Sequence, residues 1–130
     1  MRHALVIDDD AVFRGVIERI LVASGYTVAL AEDGRHALRK AQEQKPDIVI
    51  TDILMPEMEG VETIFRLREV DPDVPILAIS GGWPDQQASL LKLVGRLGAT
   101  ETLPKPFRAK ELLAAIEKCF APRHASERPV

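Results

Sequence analysis

Five residues of this chain could do chemistry together: Asp8, Asp9, Asp52, Ser80 and Lys105. Asp52 closes the run Asp47-Ile48-Val49-Ile50-Thr51 and precedes a loop marked by Pro56 and Gly60. A carboxylate there can attack phosphorus and carry the group as an aspartyl phosphate. Asp8 and Asp9 close an earlier apolar run, Ala4-Leu5-Val6-Ile7. Close carboxylates repel, and partial burial worsens the repulsion, so something positive must sit among them. Oxygen-rich surroundings without cysteine and with little histidine select a hard cation. Mg²⁺ fits best, because it binds through one or two carboxylates and keeps waters for phosphate oxygen to replace. Mn²⁺ accepts the same donors. Such an ion lowers the repulsion felt by an incoming phosphoryl group. Ser80 and Lys105 would hold its other oxygens. Singly, each residue has an ordinary reading as a helix cap, a turn residue or a solvated charge, and Asp10 fits a cap well. No side chain offers itself as a base for water attack, which suits a phosphoryl state that persists.

The elements that must position these residues follow from periodicity. Ala4-Leu5-Val6-Ile7, Ile48-Val49-Ile50 and Ile76-Leu77-Ala78-Ile79 read as strands buried on both faces. Thr27 to Ala31 reads as a further strand, and Glu101 to Pro104 as a short last one, weakened because Pro104 cannot donate to a ladder. Phe13, Val16, Ile17, Ile20 and Leu21 form the buried stripe of a first helix, capped by Asp9 or Asp10 and stopped at Gly25. Asp33-Gly34 opens a second helix with Ala37, Leu38 and Ala41 inward, ended by Pro46. A third starts near Gly60 with Val61, Ile64, Phe65 and Leu67 on its apolar side. Another spans 84–97, with Leu90, Leu91, Val94 and Leu97 inward and Gly98 as its C-cap. The last carries Ala109, Leu112, Leu113, Ile116 and Phe120 inward and ends before Pro122. Alternation of this kind predicts an α/β fold with a parallel sheet and helices on both faces. All strand C-termini then share one edge, the place where such sheets bind ligands.

A net charge of −3 argues against a sequence-independent grip on nucleic acid, so no DNA partner is expected. Apolar runs are short and broken by charges, so no transmembrane helix and no membrane partner are expected. Met1-Arg2-His3 lacks a secretory leader pattern, and Cys119 alone cannot form an internal disulfide. Both point to the cytoplasm. Cys119 reads as a small apolar filler, and His3, His36 and His124 as surface residues rather than phosphoacceptors. One domain over 1–121 with a flexible tail over 122–130 accommodates the whole pattern.

Val6-Ile7-Asp8-Asp9-Asp10, the Asp52 loop with Met55-Pro56 and Gly60, Ser80, Gly98-Ala99 and Lys105-Pro106-Phe107 together resemble the receiver domain of two-component response regulators. The resemblance runs from the first strand to about Phe120. It implies a flavodoxin-like (βα)5 doubly wound sheet of order 2-1-3-4-5. It makes Asp52 the phosphoacceptor. Asp9 and Asp52 would ligate Mg²⁺ directly, Asp8 mostly through water, and Leu54 through its backbone carbonyl. Ser80 would be the switch hydroxyl, Lys105 the counter-charge to the phosphoryl group, and the Lys105–Pro106 peptide cis. The phosphodonor would be a sensor histidine kinase or a histidine phosphotransfer protein, docking near the first helix. Beyond its own phosphorylation and dephosphorylation, no enzymatic activity is expected. The chain is expected to be a stand-alone receiver that docks a protein target or passes the phosphate on. A homodimer through the face of the 84–97 helix, the fifth strand and the last helix stays open.

Departures from the family pattern concern regulation. Family members commonly carry an aromatic switch residue on the fifth strand, where this chain has Thr102. The signal is expected to travel instead through Gly81-Gly82 and Trp83. Leu54 and Gly82 cannot orient a water, so autodephosphorylation is expected at the rate of the bare metal site. Three rivals remain. A flavin-binding flavodoxin needs a Ser/Thr/Gly-rich loop where this chain has Asp8-Asp9-Asp10. A haloacid-dehalogenase-type phosphatase also forms an aspartyl phosphate, but wants a second acid where this chain has Leu54. A degenerate receiver serving as a docking scaffold would not need the intact set of acids and lysine.

Overall fold

The computed structural model of the protein describes residues 1–53, 59–80 and 98–121. Five strands form one sheet: β1 (His3–Ile7), β2 (Thr27–Ala31), β3 (Ile48–Asp52), β4 (Ile76–Ser80) and β5 (Glu101–Pro104). Their order is β2-β1-β3-β4-β5, and every pair is parallel. Four helices are described: α1 (Ala11–Ala23), α2 (Gly34–Glu43), α3 (Glu59–Val70) and α4 (Ala109–Phe120). The helix expected over 84–97 and the tail over 122–130 lie outside the described residues, as do Leu54, Met55, Pro56, Gly81, Gly82 and Trp83.

The three central strands are buried throughout, which explains their unbroken apolar runs. Alternation then sorts side chains between two cores. Leu5, Ile7, Val49, Ile76 and Ala78 pack on one face with Ala37 of α2 and with Ile64 and Leu67 of α3. Ala4, Val6, Ile48, Ile50, Leu77 and Ile79 pack on the other with Ile17 and Leu21 of α1 and with Leu112 and Ile116 of α4. β2 and β5 are the edges, which is why Pro104 is tolerated at the end of β5.

Helix ends follow the turn chemistry. Asp10 caps α1, with Oδ1 accepting from the Val12 and Phe13 amides. Asp33 caps α2 through the His36 amide. Gly25, just beyond α1, has φ +92°, a conformation glycine adopts without a Cβ penalty. Cys119 is buried in the α1–α4 layer, as a filler should be.

Four expectations need correction. Val16 is 38% exposed and Phe65 53% exposed, so neither belongs to its helix's buried stripe. One step round a helix is about 100°, and Ile17 and Ile64 take the inward direction from their neighbours. Ala109 lies exposed at the start of α4, while Ala115 and Cys119 fill the inward face. His3 is not a surface residue: it is 7% exposed, its ring Nδ1 lies 2.7 Å from Thr27 Oγ1, and its amide donates to Asp47 Oδ2 at 2.7 Å. Strand pairing puts Thr27 opposite His3, and that pairing gives the buried ring its polar partner.

Candidate functional site

At the end of β1 the chain turns sharply under control of its own acids. Asp8 is 1% exposed, and its amide still bonds the sheet through Ala31 O. Its Oδ1 accepts from the Asp10 amide at 2.9 Å. Asp10 in turn starts α1. This leaves Asp9 exposed at the rim. Arg14, one turn into α1, donates to the Asp8 carbonyl at 2.7 Å and fixes the turn from outside.

β3 delivers Asp52, which is 6% exposed. Its carbonyl accepts from Thr51 Oγ1, and the following Ile53 amide bonds Ile79 O, so the ladder continues past the acid. Gly60 lets α3 approach. A Cβ there would stand 2.6 Å from the Asp52 carbonyl oxygen and from Ile53 Cα, which no ordinary side chain could occupy. β4 ends on Ser80, fully buried. The Lys105 amide donates to Ser80 O at 2.6 Å, carrying the β4–β5 pairing past Pro104. The Lys105–Pro106 peptide is cis.

These ends converge. Ligand oxygens of Asp8, Asp9 and Asp52 lie within 4.8 Å of one another. Lys105 Nζ reaches Asp52 Oδ2 at 3.1 Å and Asp8 Oδ2 at 3.7 Å. The longer distance exceeds hydrogen-bonding range, and Asp8 Oδ2 finds no hydrogen-bond donor among the described residues. Burial, and then the neighbouring Asp52 and Asp9 charges, push the Asp8 carboxyl up to about 6, against lowering by the Asp10 amide and Lys105. Lys105 sets a single positive charge against the three carboxylates it adjoins. A buried oxygen without a donor, in an all-oxygen cluster, fits a small hard divalent ion. Lys105 touches this cluster, and Ser80 closes β4, the strand next to β3. Thr102 sits mid-strand on β5, opposite Ala78, and Leu54 lies outside the described residues.

Glu32, Asp33 and His36 also bring ligand atoms within 4.8 Å. There Asp33 Oδ1 already accepts from the His36 amide and meets the His36 ring, both at 2.8 Å. That group is a helix cap, and the amide bond is also what lowers the Asp33 carboxyl.

Two residues at the site escaped sequence reasoning. In the sequence Arg14 carries no signal of a role, and Phe13 reads as core. The Phe13 ring lies under Lys105 Nζ, 4.0 Å from the centroid, and meets Phe107 edge-on at 5.4 Å and 85°. An aromatic in the first turn after an acid run, matched by the aromatic two residues beyond Lys105, was the available signal.

The family model for the response regulator receiver domain matches residues 4–117. The chain belongs to that family. As a receiver, it is 41% identical over 114 residues to the response regulator MprA of Mycolicibacterium vanbaalenii, covering 86% of this chain and 47% of that protein. It is 36% identical over 118 residues to the chemotaxis protein CheY of Thermotoga maritima, covering 90% and 96%. The chain thus spans about half the length of the MprA relatives and nearly all of that CheY. A receiver domain protein from Clostridium thermocellum superposes with TM-score 0.83 at 28% identity, covering 92% of this chain and 94% of that one. The chemotaxis response regulator CheY4 of Vibrio cholerae gives 0.81 at 32%, covering 92% and 98%. The sheet order expected from the resemblance is the one observed. Among the described residues, no helix is long and apolar enough to cross a membrane.

Proposed function

We propose that this receiver accepts a phosphoryl group on Asp52 from a phosphohistidine of a sensor kinase or phosphotransfer protein. The observation that carries the reading is the close cluster of Asp8, Asp9 and Asp52, with Lys105 bridging two of them. Mg²⁺, or Mn²⁺ in its place, would be held by Asp8, Asp9 and Asp52, with the Leu54 carbonyl as a further donor. When bound, it supplies charge neutralisation and orients phosphoryl oxygens. The chain does the rest. An Asp52 carboxylate oxygen attacks phosphorus; the P–O bond forms as the P–N bond breaks, and the imidazole nitrogen keeps the electron pair. Lys105, already within 3.1 Å of Asp52, turns its ammonium to a phosphoryl oxygen. Ser80, at the adjacent strand end, supplies the hydroxyl that reads the modified state.

Phosphorylation and its reversal are the chain's own chemistry in this reading, with no other substrate turned over. Output runs through docking of a protein partner or onward phosphotransfer in the cytoplasm, with a homodimer as one form. Thr102 leaves no aromatic on β5 to swing.

Acetyl phosphate with Mg²⁺ tests the proposal by intact mass. Wild type should gain one phosphoryl adduct, lost with EDTA and absent in Asp52→Asn. An adduct that persists in Asp52→Asn would refute the assignment. Repeated turnover of p-nitrophenyl phosphate would favour a phosphatase instead.

A further inference from the structure

Lys105 has a third neighbour besides its two carboxylates. Its ammonium stands 4.0 Å from the Phe13 ring centroid, inside the range where a ring quadrupole attracts a cation. The ring's position is determined from two sides. Its backbone amide bonds Asp10 Oδ1, whose own amide bonds Asp8 Oδ1. Its face is set by the edge-on contact with Phe107, two residues beyond Lys105. Acid turn, helix start, ring and lysine segment therefore form a closed circuit around the ammonium.

The circuit matters because Lys105 and a divalent cation would share the Asp8 and Asp52 carboxylates. Asp52 and Asp8 are the lysine's partners and also members of the carboxylate cluster. Once those carboxylates serve an ion, their hold on the ammonium weakens, and the ion's own charge repels it. The negative face of Phe13 is not consumed by the ion. A side chain that is 23% exposed would otherwise swing to water.

We propose that Phe13 is a positioning residue, whose ring face retains the Lys105 ammonium beside Asp52 in the cation-loaded receiver, ready for a phosphoryl oxygen. This rests on Lys105 acting as counter-charge to the phosphoryl group. Phe13 also packs against the α1–α4 core, so a truncation would confound packing with electrostatics. Stepwise fluorination of the ring separates them, because it drains the quadrupole with little change of shape.

The experiment uses the full chain carrying 4-fluoro-, 3,5-difluoro- or 3,4,5-trifluorophenylalanine at position 13. Beryllofluoride affinity is measured at saturating Mg²⁺, alongside Mg²⁺ affinity alone. Beryllofluoride affinity should fall in even steps to a total of about tenfold, with Mg²⁺ affinity within about twofold throughout. In a Lys105→Ala background the series should be flat. A flat series in the native background overturns the proposal, as does Mg²⁺ affinity falling in step. A second readout needs neither ion. In Mg²⁺-free protein the Lys105 ε-methylene protons should be shifted upfield by the ring, and the shift should vanish in Phe13→Leu. Its absence from wild type refutes the contact itself. Failure of unmodified protein to bind beryllofluoride at all, with the ring shift intact, would instead refute the phosphoacceptor reading, and the proposal with it.

Discussion

The amino and carboxyl ends of the sheet handle charge withdrawn from water in opposite ways. At the amino edge, Arg68 from α3 reaches between the segments entering β4 and β5. Its Nε and Nη2 donate to Gly98 O at 2.9 and 2.7 Å. Its Nη1 donates to Val74 O and to Pro72 O at 3.2 Å. Burial lowers the Arg68 guanidinium from its ordinary value, against the pull of Asp71 and Asp73, but carbonyls surround it on each arm. At the carboxyl edge, Asp8 is buried where Arg68 is only half-buried, yet one of its oxygens finds no donor among the described residues, and its carboxyl is raised to about 6. One edge is electrostatically complete and serves to join loops. The other is incomplete by design of its residue types, and that incompleteness is a capacity to bind.

The largest expected effect breaks the complete edge. Arg68→Met leaves the Gly98 and Val74 carbonyls without their donor and should cost about 2–4 kcal/mol in urea unfolding. Mg²⁺ affinity of the folded fraction should stay unchanged; a loss would show that the two edges are coupled. Next comes the contact that supports the incomplete edge. Gly60→Ala places a methyl 2.6 Å from the Asp52 carbonyl and should destabilise by about 1–3 kcal/mol, with slower phosphoryl adduct formation.

A smaller effect sharpens the electrostatic contrast. The Asp8 carboxyl titrates near 6 when folded and near its ordinary 3.8 when unfolded. Between those values the folded protein binds the additional proton, so Asp8 favours folding below that window and opposes it above. In Mg²⁺-free buffer, wild-type stability relative to Asp8→Asn should therefore decline from pH 4 to pH 6, by on the order of 2 kcal/mol. Chemical denaturation across that range checks the sign, and a rising difference would contradict it. The smallest effect is at the surface. Arg66 and Glu62 pair at 3.0 Å on exposed α3, and Arg66→Ala should change stability by less than about 0.5 kcal/mol.

How much of this could be read from the chain alone depended on range. The strand ends were legible because each strand is a short local run, and a parallel sheet forces its ends together. Asp8, Asp9, Asp52 and Lys105 lie together for that reason, and Ser80 ends the neighbouring strand. Helix faces were legible only to about one residue: Ile17 and Leu21 are buried while Val16, equally apolar, is not. Long-range polar pairs left no local trace. Arg68 finds Gly98 across 30 positions, and Asp47 finds the His3 amide across 44. Phe13 was visible as apolar, but its role under Lys105 depends on a loop 92 residues away, and no periodicity encodes that.

The central claim is that the carboxyl edge is unfinished and the amino edge finished. Titration of the protein with Mg²⁺, followed residue by residue through backbone amide shifts, tests it most directly. Asp8, Asp9, Asp52, Ile53 and Lys105 should move together and saturate, while Arg68, Gly98 and Thr100 hold still. Unsaturable drift at the carboxyl edge, or equal movement at the amino edge, would contradict the account.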